Sequence, residues 1–186
     1  MPIRIINPQK EAQDIAIDEK FKQEVERLKK AEPEITDALE ALENLMGYTG
    51  DAAATIQSMK RLAERVASGT LTEDDCVMAQ AENEQLQEEL DRLAKSSALA
   101  QIQNRFVANG KLTLTVMGQS VSIPYREMTC AALGVDSKKV NISTPERATK
   151  AMGFLKAAEE LLNGQNTMLD SLYNRVEHVR KDMEQF

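Results

Sequence analysis

Apolar residues recur at steps of three and four along the first third of the chain. Ile17, Phe21, Leu28, Ile35, Leu39, Leu42, Met46, Ala53, Ile56, Ala63 and Val66 fall on one helical face. That spacing predicts a helix from about Glu11 to Ala67. Pro33 removes a backbone donor, and Gly47 and Gly50 are weak helix formers, yet the apolar pattern continues through all of them. One long helix is therefore expected rather than two. "SGT" at 68–70 supplies the stop at Gly69. Thr72 then caps a second helix, whose first turn holds Glu73, Asp74 and Asp75 at its positive end. It runs to about Ser96 with Leu86, Leu90 and Leu93 inward, which makes residues 11–96 an antiparallel helical hairpin.

The periodicity changes to two in "KLTLTVMGQSVSIPY". Leu112, Leu114 and Val116 alternate with threonines, and Val121 and Ile123 alternate with serines. Gly118-Gln119 reads as a two-residue turn of type II′, which sets Val116 opposite Val121 and Leu114 opposite Ile123. This small β-hairpin lies in a connection spanning 97–142. Helical spacing returns over 143–184, with Ser143 and Glu146 at capping-box distance and Pro145 in the first turn. Ala151, Leu155, Ala158, Leu162, Gln165, Leu169, Leu172, Val176, Val179 and Met183 then follow in an unbroken alternation of fours and threes, a coiled-coil seam. The core positions Leu155, Leu162, Leu169, Leu172, Val176 and Val179 define it. The expected fold is mainly α, an elongated antiparallel bundle of three long helices with one small β-hairpin, in a single domain over 1–186.

Composition narrows the function. Aromatic residues make up 4% of the 186 and Trp is absent, which suits a slender bundle better than a compact enzyme core. A net charge of −7 argues against a nucleic-acid binder. No apolar run is long enough to insert in a membrane. Two cysteines without a CxxC pair and one histidine leave no set of metal ligands, so neither a metal nor another cofactor is expected. Whether Cys76 and Cys130 pair depends on geometry that spacing does not give.

Only one place hints at catalysis. His178 stands beside Glu177 in "SLYNRVEHVRKDM", but adjacent residues on a helix do not face each other. His178 is better read as a solvated position beside the seam residues Val176 and Val179. "AENEQLQEELD" is rich in carboxylates and reads as a solvated helix face. No phosphate-binding glycine loop, GxSxG or HExxH is present. The chain reads as a non-enzyme.

Several segments, in order, resemble the rod-like core domain of bacterial flagellin. "IAIDEKFKQEVERL" (15–28) resembles that family's Leu-Ala-Ile-Ser-Glu-Lys-Met segment, and "IQSMKRLAERVASGT" (56–70) its helix leading into Asn-Gly-Thr. "QAENEQLQEELDRLA" (80–94) is similar to the returning helix. "ALGVDSKKVNISTPERATKAM" (132–152) resembles the Leu-Gly…Ile-Ser-Thr approach to the last helix, and "YNRVEHV" (173–179) the Asn-Arg-Leu-Glu-His signature.

The resemblance implies a structural module of the flagellar filament, serving motility. Its expected partners are other flagellin-type subunits, with a flagellin chaperone or the export machinery before assembly. The expected location is the extracellular flagellum, reached from the cytoplasm. The resemblance covers the rod domain, and implies as an expectation that the terminal segments that polymerise and the variable outer domain are lacking. A soluble, truncated helical binding module is the competing expectation. The resemblance also implies an epitope for the vertebrate innate receptor of flagellin, at Ser58, Arg61, Leu62 and Glu82. Leu62 and Glu82 keep the family residue, whereas Ser58 stands in place of an arginine and Arg61 in place of a glutamate. A reversed charge inside a complementary patch opposes binding, so weakened receptor recognition is expected.

Overall fold

The computed structural model describes residues 8–184, with the side chains of 8–18 and of Phe21 left out. The apolar positions Ile17 and Phe21 of the first helix lie outside the described side chains. Helix α1 (Pro8–Ala67) is continuous for 60 residues, about 90 Å at roughly 1.5 Å per residue. Pro33 is exposed, between the buried Ala31 and Ile35, so its ring meets solvent rather than a neighbouring helix. Helix α2 (Glu73–Ala94) returns along α1 after a turn at Gly69, whose φ is +69°. A short helix α3 (Ser97–Phe106) leads into strands β1 (Val107–Ala108), β2 (Lys111–Val116) and β3 (Gln119–Pro124). A single turn, α4 (Cys130–Leu133), precedes the long last helix α5 (Pro145–Met183).

The core is built from two facing seams. On α1, Ala31, Ile35, Ala38, Leu42, Leu45, Thr49, Ala52, Ile56, Met59, Ala63 and Val66 are all buried, in strict steps of four and three. On α5, Ala148, Ala151, Leu155, Ala158, Leu162, Gln165, Leu169, Leu172 and Val176 are buried in the same rhythm. Two such rows interdigitate in the manner of a coiled coil. Polar pairs at the rim follow their antiparallel sense. Lys60 donates to Glu159 at 2.9 Å and the Tyr173 hydroxyl donates to Glu43 at 3.0 Å. Arg105 pairs with Asp37 and ties α3 to α1.

Three local details differ from the sequence expectation. The strands form a three-stranded antiparallel sheet, β1-β2-β3, not a lone hairpin. Val116 lies opposite Gln119, Leu114 opposite Val121 and Leu112 opposite Ile123, so the turn residues are Met117 and Gly118. Both have positive φ, +53° and +75°, which is the type I′ turn whose twist matches a two-residue hairpin. The shift relative to a Gly118-Gln119 turn is two residues, an even number, so the apolar residues keep their shared face. Finally, α5 is capped by Thr144, whose hydroxyl accepts from the Arg147 N–H at 3.4 Å, one residue later than the Ser143 cap expected from spacing. Ser143 instead donates to Asn141 at 2.7 Å.

The connection between α3 and α5 is held by amides, not by apolar contact alone. A row on α2, Gln80, Asn83, Gln87 and Asp91, faces the loop. Gln80 accepts from the Ile142 N–H at 2.7 Å, and Asn83 donates to the Val140 carbonyl at 3.3 Å. Gln87 donates to the carbonyls of Val135 and Val140 at 2.9 and 3.2 Å. Asp91 accepts from the Cys130 N–H at 2.8 Å. From the other side, Gln165 on α5 both accepts from Arg126 N–H at 3.0 Å and donates to its carbonyl at 3.2 Å.

Candidate functional site

A helical rod positions functional groups in rows, so each candidate is placed by its step on a helix. His178 is exposed on α5 and its Nδ1 lies 3.1 Å from Asp182, one turn on. Glu177, the adjacent carboxylate, faces elsewhere: it accepts from Arg180 at 2.7 Å and lies 3.6 Å from Lys181. The histidine and the glutamate do not share a proton path. Among the described residues, no group of three or more His, Cys, Asp or Glu gathers as a metal site would need.

The two cysteines are free and buried. Cys130 donates its thiol to the Gln87 carbonyl at 3.2 Å. Burial, and then the neighbouring Asp91, push the thiol up to about 12, so it is protonated and inert at neutral pH.

The carboxylate-rich stretch 81–91 of α2 has two characters. Glu82, Glu84, Glu88 and Glu89 are exposed, as the sequence predicts. Asn83 and Gln87 are buried, which corrects the expectation of a wholly solvated face. Sequence alone does not mark them, because an amide in an acidic run looks like surface. The signal that could have found them is position, since Asn83, Gln87 and Leu90 step along the inward side with Cys76 and Ala79.

Of the residues singled out by family resemblance, Ser58 and Arg61 meet on α1. The Arg61 guanidinium donates to the Ser58 hydroxyl at 2.9 Å, while that hydroxyl donates to the Ala54 carbonyl at 3.1 Å. Leu62 lies in the core at 5% exposure, so its side chain is held inside the rod. Glu82 is exposed on α2. Of the last-helix seam, Leu155, Leu162, Leu169, Leu172 and Val176 are buried and Val179 is half-buried near the open end of α5. There, Val179 and Met183 border a groove with Leu28 of α1 and Met117 at the hairpin tip.

Among the described residues, exposed large apolar groups are few. Val77 and Met78 stand out from α2, and Phe154, Leu161 and Met168 from α5. No helix among the described residues is long and apolar enough to cross a membrane. What such a molecule can do is present long helix faces to other proteins.

The chain is similar to filament proteins over almost its full length. It is 28% identical over 194 aligned positions to the flagellar filament 33 kDa core protein of Treponema phagedenis, covering 95% of this chain and 68% of that protein. It is 25% identical to flagellin FlaB2 of Treponema pallidum, with the same coverage. In fold it resembles the crystal structure of Bacillus cereus flagellin at a TM-score of 0.65, with 18% identity, 82% of this chain and 87% of that one superposed. No family model matches.

Proposed function

We propose that this chain, a member of the flagellin family, is a structural subunit of a flagellar filament. The observation that carries the reading is the homology to flagellar filament core proteins, which runs through 95% of the chain rather than through one helix. The physical character agrees with the role. Two matched seams make a stiff rod, and side-by-side packing of rods builds a wall. The chain acts by shape and contact, not by chemistry at a cleft, and serves motility as part of a filament assembled from copies of itself and related subunits. Before assembly it is a cytoplasmic protein handled by a flagellin chaperone and the export apparatus.

Incorporation tests this. Tagged chain is added to sheared flagellar filaments, or expressed in a flagellated host, and the filaments are examined by immunogold electron microscopy. Label along the filament shaft is expected. Label confined to the soluble fraction, with monodisperse chain in sedimentation, would replace the filament role with that of a soluble binding module.

Recognition by the vertebrate innate receptor of flagellin is weak in this reading. Arg61 sits where the family has a glutamate, and its guanidinium is held beside Ser58 on the exposed side of α1. An unfavourable charge facing a complementary patch costs up to several kcal/mol, about a hundredfold or more in affinity. Surface plasmon resonance with the receptor ectodomain should give micromolar binding or none; a nanomolar constant overturns it.

A further inference from the structure

We infer that the outer face of α5 in one copy of this chain packs against the outer face of α2 in the next copy. The inference rests on the filament-subunit reading above and deepens it by naming the surfaces. Besides its buried seam, α5 carries a second row in the same rhythm: Phe154, Ala157, Leu161, Gly164, Met168 and Ser171 step by three and four, and all six are exposed. Phe154, Leu161 and Met168 are 40–45% exposed, an apolar ridge at heptad spacing with small residues between the large ones. That is the pattern of a helix that receives another helix.

With Leu161 and Met168, the glycine in this row borders a groove shared with Tyr125 and Arg126 of the same chain, but touches nothing there. Gly164 is in the middle of α5 with no positive φ, and a Cβ placed on it would meet nothing within 4 Å. Gly153, next to Phe154, is the same. Glycine is a poor helix former, and the open space at Gly153 and Gly164, like that at Gly47 and Gly50 of α1, lets an outside backbone approach closely. Such close approach between helices is a known use of small residues at a contact.

Charge identifies the occupant. The row is extended by Arg147 and Lys150 at one end and by Arg175 at the other, all exposed, and none of its positions is acidic. The matching face of α2 is mainly acidic, with Arg92 one step beyond Glu88 as its basic exception. Asp74, Met78, Ala81, Gln85 and Glu88 step by four and three and are all exposed, with Met78 and its neighbour Val77 at 71% and 62%. Exposed Glu73, Glu82, Glu84 and Glu89 flank that row. Each face therefore offers an apolar centre and complementary charge, and each belongs to a different element of the same chain. A contact between two different patches is heterologous, and where its rotation does not close it repeats as an open helical array, as a filament wall requires.

The test mixes two variants, each with one added cysteine, Leu161→Cys in one and Met78→Cys in the other, under assembly conditions with mild oxidant; the native Cys76 and Cys130 are buried and protected. Cross-linked pairs between the two variants should exceed pairs within either variant by about tenfold. A second arm reverses charge. Arg147→Glu with Lys150→Glu should abolish assembly, and copies carrying Asp74→Lys with Glu88→Lys should restore co-assembly with them. Circular dichroism and the melting midpoint of each variant check that the rod is intact. Pairs formed mainly between two Leu161→Cys copies, or unchanged assembly after charge reversal, overturn the inference while the filament role stands. Failure of wild-type chain to assemble or to enter filaments overturns both.

Discussion

Gln87 gives its side-chain N–H groups to the carbonyls of Val135 and Val140, and its own carbonyl accepts the Cys130 thiol. It is 7% exposed, so nothing in solvent replaces those bonds. Truncation leaves two buried carbonyls without partners, a loss of about 1–3 kcal/mol. Gln87→Ala should lower the unfolding free energy from urea titration by that amount, while Gln85→Ala, two residues away and exposed, should stay within about 0.5 kcal/mol. Equal effects would mean that Gln87 does not hold the loop. The same cluster protects Cys130. With its thiol pushed up to about 12 by burial, alkylation at pH 8 should be negligible in the native chain and should appear only on unfolding. Rapid native labelling at Cys130, read by mass spectrometry, would contradict that burial. Neither residue was legible as structural. A glutamine in an acidic run and a lone cysteine carry no periodic signal until the loop they bind is in view.

At the scale of elements, periodicity carried the reading where side chains are large and misled it where they are small. The long steps of α5 were readable because Leu and Val mark nearly every turn. On α1 the sequence points to Met46 and Ala53 as inward, but the structure buries Leu45, Ala52 and Met59 and leaves Met46 and Ala53 half-covered. Ala38, Ala52 and Thr49 serve the seam through small size, and Thr49 hides its hydroxyl on the Leu45 carbonyl at 2.8 Å. The strand β1 is faint in the sequence for a different reason. Asn109-Gly110, both with positive φ, is the strongest short hairpin signal, but β1 is only two residues long. Helix caps were legible to within a residue. Thr72 and Asp75 form a reciprocal capping box, with Asp75 N–H to the Thr72 hydroxyl at 3.2 Å and Thr72 N–H to the carboxylate at 3.2 Å. The Thr72 hydroxyl first, and its N–H second, hold the Asp75 carboxyl below its ordinary 3.8. Glu159 is likewise held below 4.5 by its bond from Lys60. Both favour the ionised form in the folded state. Their contribution is fully present above about pH 4.5 and is lost as the pH falls through the lowered folded values. Urea unfolding from pH 7 to pH 2.5 should therefore show the gap between wild type and Thr72→Ala narrowing with acid. A gap that stays constant with acid would assign the cap no ionic component, and one that widens would reverse the sign of the linkage.

The whole molecule joins ends that are far apart in sequence, since α1 meets α5 along most of its length, and this is why the heptad rows alone could be read as a bundle but not as a particular assembly. A seam states that a helix has a partner and does not state whose helix it is. The second row of α5 separates the two cases, because its glycines affect the lone chain and the assembled chain in opposite directions. In the lone chain a Cβ at Gly164 or Gly153 meets open space, so alanine gains helix propensity at no steric cost, about 0.5–1 kcal/mol for each site. Gly164→Ala should raise the melting midpoint of the dilute monomer by a few degrees, on the order of 2–4 °C for a chain of this size. In the assembled chain the added methyl intrudes on the neighbouring helix, and the critical concentration for assembly should rise. Differential scanning calorimetry on dilute protein and sedimentation across a concentration series measure the two effects separately. A variant that melts higher and assembles less well places the role of Gly164 between copies. One that melts lower shows that the glycine serves its own fold.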